Sequence, residues 1–120
     1  MNFQKQKAIY MQIADYVLDN IVAQKFKVGD RMQSVRELAA TVQVNPNTIM
    51  RTFNYLQDKG VIFNKRGIGY FISEDAKEKA IDIKKDDFIK TYLPQFFKTM
   101  ELLNLSFEDL QHIYQEQQVK

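Results

Sequence analysis

Apolar residues open the chain at helical spacing. Ile9, Ile13, Val17 and Ile21, flanked by Tyr10, Ala14 and Leu18, fall on one face and predict a helix from about Ala8 to Lys25. Gly29-Asp30 marks a turn. Ser34-Val35-Arg36-Glu37 then has the form of a capping box, in which the Ser hydroxyl accepts from the Glu37 N–H and the Glu carboxylate reaches back to the N–H of Ser34. A short second helix starts there and ends near Val42. After the spacer Gln43-Val44-Asn45, Pro46 suits the first turn of a third helix, with Asn45 as its cap and Gly60 closing it after about Lys59. On that helix Ile49, Phe53 and Leu56 face inward, while Asn47, Met50, Arg51 and Asn54 face out.

The period then changes. Val61-Ile62-Phe63 and Tyr70-Phe71-Ile72 are β-rich runs around residues 64–69, which read as a basic, glycine-containing hairpin tip. Past Ser73 the chain becomes acidic and lysine-rich. Asp86 or Asp87 is expected to cap a helix running to about Leu103, kinked or split by Pro94. Ser106 caps a last helix, with Asp109 at the capping-box position and Leu105 against Leu110 as a staple. The expected fold is mostly α with a small β-hairpin: a winged helix-turn-helix over residues 1–73 and a helical dimerisation tail over 74–120.

Composition narrows the function. A chain of 120 residues, 45% hydrophobic, can bury one core and an appendage. Residues 1–73 carry ten Lys and Arg against five Asp and Glu, a net +5, and residues 74–120 carry seven against ten, a net −3. A basic front half suits a polyanion, and an acidic rear half suits another partner, often a second chain. With no Cys and the single His112, no metal site is expected, and no cofactor. The sequence shows neither a nucleophile and base set nor a phosphate-cradling glycine loop, so no enzyme is expected. Without a long apolar run or the features of a signal peptide, the expected location is the cytoplasm, with no membrane partner.

Two helices joined by a tight turn, the second with small polar and cationic residues at its start, form the arrangement that enters a DNA major groove. Asn45, Asn47 and Thr48 can equally serve as capping residues, and Lys65 and Arg66 as solvated charges, but capping box, polar helix face and basic hairpin occur together. The stretch from Gly29 to Ala39, followed by Val44-Asn45-Pro46-Asn47-Thr48-Ile49 and Arg66-Gly67-Ile68-Gly69-Tyr70-Phe71, resembles the DNA-binding domain of GntR-family transcription regulators. The short tail through Met100-Glu101-Leu102-Leu103-Asn104-Leu105-Ser106 resembles that of the YtrA-like subfamily. Gln33, Met50 and Tyr70 depart from the usual family residues. The resemblance implies that Arg36, Asn47, Thr48, Arg51 and the wing glycines Gly67 and Gly69 lie at the DNA surface. Ser34, Asn45, Asn54, Lys65 and Arg66 complete the candidate set.

In the tail, Phe88, Tyr92, Phe96, Phe97 and Met100 form, with Ile89, Leu93 and Leu103, an apolar arc broader than one contact face needs. A dimer interface explains it, joined by Leu110. The expected function is that of a sequence-specific transcription regulator, a repressor that binds an inverted-repeat operator as a homodimer. Its partners are double-stranded DNA and a second copy, with an effector small molecule left open. The alternative is a winged-helix protein-interaction module that binds no DNA.

Overall fold

The computed structural model describes residues 7–119 and divides into two compact units, one ending at Lys84 and one beginning at Lys85. Met1 and Lys120, the outer limits of the expected domains, lie outside the described residues.

In the first unit α1 (Ile9–Val22) holds the whole apolar pattern but ends short of the expected Lys25. Its end is set by Gln24, whose φ of 64° turns the chain out of the helix while the N–H groups of Lys25 and Phe26 bond back to Asn20 O. The second helix, α2 (Val35–Val42), starts on the expected capping box: the Ser34 N–H donates to Glu37 Oε1 at 2.9 Å and the Glu37 N–H to Ser34 Oγ at 3.1 Å. Left-handed Gln43, φ 58°, then turns the chain into α3 (Pro46–Asp58), where Asn45 Oδ1 accepts from the Asn47 N–H at 2.8 Å. Ile49, Phe53 and Leu56 of α3 are fully buried beside Val17 and Leu18 of α1. Thr52 ties the two helices together, its Oγ1 lying 2.8 Å from the Tyr10 carbonyl oxygen.

The wing differs from its sequence reading in two respects. Strands β1 (Ile62–Lys65) and β2 (Gly69–Ile72) pair antiparallel with Ile62 opposite Ile72 and Lys65 opposite Gly69, so Asn64, Lys65 and Gly69 belong to the ladder and not to the loop. The turn is only Arg66–Ile68, closed by the Ile68 N–H on Lys65 O at 2.9 Å. The second difference is a third strand-like segment. The N–H groups of Gly29 and Met32 donate to the carbonyls of Ile72 and Tyr70, the Ile72 N–H donates to Asp30 O, and Arg31 bridges Phe71. Ile62 and Ile72 face the core, and Tyr70 meets Phe53 edge-on at 4.8 Å.

Helix α4 (Ala76–Asp87) corrects the expected start at Asp86 or Asp87. Ala76 and Ala80 are fully buried in the core of the first unit, and Ile83 packs against it, so α4 begins as part of the winged-helix fold. Asp87 is helical, with φ −62° and ψ −44°, and accepts from the Thr91 hydroxyl at 3.1 Å; Asp86 pairs with Lys90 at 3.2 Å.

In the second unit a π-helical turn, Phe88–Tyr92, precedes α5 (Leu93–Leu102). Pro94 offers no N–H and would crowd the carbonyl a turn earlier, and the wider turn, with the Leu93 N–H on Phe88 O, takes up that misfit. Left-handed Asn104, φ 57°, follows α5. A second capping box, Ser106 N–H to Asp109 Oδ2 at 2.9 Å and Asp109 N–H to Ser106 Oγ at 3.1 Å, opens α6 (Phe107–Val119).

Candidate nucleic-acid interface

The expected site residues occupy three places in the first unit: the start of α2, the outer face of α3 and the wing. At α2, the Ser34 oxygen and backbone N–H are both used in the capping box, which leaves its hydroxyl hydrogen to donate. The Ser34 backbone N–H, and then its side chain, hold the Glu37 carboxyl below its ordinary pKa; partial desolvation opposes them and the charge of Arg31 adds to them. Arg36, the next residue but one to the cap, is exposed. A cation at a helix N-terminus does little for the helix, so its stabilising partner is to be sought elsewhere.

At α3, Asn45 spends its carbonyl oxygen on the cap and keeps its amide N–H groups. Asn47, Met50, Arg51 and Asn54 are exposed, and Thr48 is half-buried. Arg51 does not extend freely: its guanidinium carbon stacks 4.1 Å from the centroid of Tyr10 on α1. Such a contact restricts a long side chain and leaves its N–H edge available. Tyr10, not among the expected site residues, thus touches α3 twice, by its ring and by the carbonyl that faces Thr52.

At the wing, Lys65 and Arg66 are exposed, and Lys65 Nζ lies 4.9 Å above the ring of Phe71. The two wing glycines differ. Gly67, φ 78°, has open space where a side chain would be, so its left-handed conformation is what demands glycine. At Gly69 an added Cβ would lie 3.0 Å from Arg31 Nε, so this site is already covered by another part of the chain. Arg31 was not among the expected site residues. The available signal was a cation in an extended segment beside two β-rich runs, but the pairing that brings it to the wing is non-local.

Among the described residues some cations are ion-paired and others are not, and those of this surface are among the unpaired. Lys7, Lys79, Lys84 and Lys90 each sit on a carboxylate. Among the described residues none of Arg31, Arg36, Arg51, Lys65 and Arg66 has a carboxylate within 4.0 Å. Unpaired cations beside exposed amides and a glycine-tipped hairpin are suited to a phosphate backbone and base edges.

Of the residues expected at a dimer contact, Phe88, Phe96, Phe97 and Leu103 are exposed, Leu103 by 61%, and Tyr92 and Leu110 are half-buried. Met100 is the departure. It is 6% exposed and belongs to the interior of the second unit, so it supports the apolar face from behind.

A capped helix pair followed by a basic hairpin defines a DNA-binding winged helix, and the comparisons with known proteins agree. Residues 9–72 match the bacterial regulatory proteins of the gntR family, and the chain belongs to that family. It is similar to the transcriptional regulator YhcF of Bacillus subtilis, 40% identical over 90% of this chain and 88% of the relative. It is also similar to the transcriptional repressor YtrA of the same organism, 34% identical over 85% and 78% of the two chains, which puts it with the short YtrA-like members. Among solved structures, a GntR-family regulator from Bacteroides thetaiotaomicron superposes with a TM-score of 0.78 at 39% identity, covering 91% of this chain and 95% of its own. The chain is a GntR-family transcriptional regulator with a DNA-binding fold, and these relatives are regulators, not enzymes.

Proposed function

We propose that the protein is a sequence-specific repressor that binds an inverted-repeat operator as a homodimer in the cytoplasm. The observation that carries the reading is the capped helix pair α2 and α3 followed by the wing, which together present exposed Arg36, Arg51, Lys65 and Arg66 with exposed Asn47 and Asn54. Arg36, Asn47, Thr48 and Asn54 read base edges in the major groove, Ser34 and Asn45 steady the two helix starts and donate to phosphates, and Arg51, Lys65 and Arg66 neutralise backbone charge around Gly67. Phe88, Tyr92, Phe96, Phe97, Leu103 and Leu110 supply the contact with the second copy. The division of labour places DNA recognition in residues 1–73 and dimerisation in residues 74–120, with the start of α4 completing the first core. Repression is supported by the likeness to YtrA, a repressor.

Selection of bound sites from random duplexes, followed by sedimentation of the complex, tests the proposal. A palindromic site with half-site centres about 34 Å apart and two copies bound is the expected result. A single non-palindromic half-site occupied by one monomer contradicts it.

A further inference from the structure

Arg31 stands outside the contact set proposed above, yet the register places it on the same wing. Its backbone bridges Phe71, and hydrogen bonds on either side, Ile72 N–H to Asp30 O at 2.9 Å and Met32 N–H to Tyr70 O at 2.8 Å, fix that position. Residues directly opposite on antiparallel strands share a face, and so do alternate residues along one strand. Arg31, Phe71, Gly69 and Lys65 therefore share the face of the wing opposite to buried Ile72. Arg31 reaches along this face to Gly69, with Nε 3.0 Å and a terminal guanidinium nitrogen 3.5 Å from the place of an added Cβ. Lys65 reaches across it from β1, over the ring of Phe71. Two cations thus lie across one strand from opposite sides. Arg31 also acts on α2, where its charge helps to lower the Glu37 carboxyl. Bringing like charges together costs free energy, which an anion between them offsets, and a planar guanidinium can meet phosphate oxygens with two N–H groups.

We infer that Arg31 is a further DNA-contacting residue, which takes a backbone phosphate jointly with Lys65. Gly69 has φ 144°, a conformation that side chains rarely adopt, and an added Cβ 3.0 Å from Arg31 Nε would also press the guanidinium aside by a few tenths of an ångström. The inference rests on the DNA-binding reading above, and the test separates the two.

Fluorescence anisotropy of the full chain on its selected operator and on a scrambled duplex, over a salt series, compares the wild type with Arg31→Ala and Arg31→Lys. Arg31→Ala should weaken both duplexes by a similar factor, roughly three- to tenfold, and lower the slope of log K against log salt by about 0.9 per half-site. Arg31→Lys should keep most of the slope, and thermal melting of both variants should match the wild type. An unchanged slope overturns the assignment, as does a loss of affinity that tracks a lower melting temperature. A changed base preference also overturns it, since a phosphate contact carries no sequence information. Wild-type protein without salt-dependent duplex binding would instead bring down the DNA-binding reading itself.

Discussion

The two units treat apolar side chains in opposite ways. Up to Lys84, the large residues Leu18, Ile49, Phe53, Leu56, Ile62 and Ile72 are almost wholly removed from water. From Lys85 on, Met100 is the buried hydrophobic among the described residues, while Phe88, Ile89, Phe96, Phe97, Leu102, Leu103 and Phe107 remain exposed. Three helices and a wing surround a core from several directions, whereas a short helical unit has too little surface to enclose its own aromatics. An apolar pattern at helical spacing therefore means different things in the two places. In the first unit it specifies an interior, and in the second it leaves an exposed apolar face, which the proposed dimer would cover.

The strongest way to break the comparison is to remove one large side chain from each unit. Phe53→Ala deletes a ring with no exposed surface that packs edge-on to Tyr70, and should cost about 3–5 kcal/mol of stability. Urea unfolding measures it. A loss below about 1 kcal/mol would mean that the first core is looser than its burial indicates. The tail should respond in association instead. Phe97→Ser combined with Leu103→Ser should weaken the dimer by about 2–3 kcal/mol, on the order of 30- to 150-fold, while leaving unfolding of the first unit unchanged. Sedimentation equilibrium reads that shift, and a dimer of unaltered affinity would move the contact away from this face.

What the sequence revealed follows from the range of the interactions involved. The capping boxes at Ser34 and Ser106, Asn45 before Pro46, and the inward set Ile49, Phe53 and Leu56 were all legible, because each is set within a turn or two of helix. The pairing of residues 29–32 with β2 was not, since a few backbone hydrogen bonds between distant segments leave no period in the sequence. With it went Arg31. The start of α4 was hidden for another reason: its core-facing residues Ala76 and Ala80 are small, and charged neighbours dominate the stretch. Their spacing with Ile83, at i, i+4 and i+7, was the signal available. At Met100 the helical spacing placed the residue on the apolar arc but could not separate a buried position from the exposed ones.

The smallest expected effect sharpens the comparison through a device that both units share. In each capping box the serine backbone N–H, then its side chain, lowers the carboxyl pKa, that of Glu37 in one unit and Asp109 in the other; desolvation opposes this in both. The last contribution differs, coming from Arg31 for Glu37 and from His112 for Asp109. A carboxyl whose pKa is lower in the folded protein favours folding above its unfolded value, about 4.3 for Glu and 3.9 for Asp, and that contribution is lost as pH falls through the folded value. Acidification below about pH 4.5 should therefore loosen the starts of α2 and α6, seen as faster amide exchange at Glu37 and Asp109. Ser34→Ala, which removes one half of the first box, should cost about 1 kcal/mol and affect α2 alone. Carboxyl NMR titration gives the finer discrimination. In Arg31→Ala the Glu37 pKa should rise toward its ordinary value while that of Asp109 stays put, because the charge removed belongs to the wing beside α2. Equal movement of both carboxyls, or none at Glu37, would show that Arg31 does not face α2 in solution.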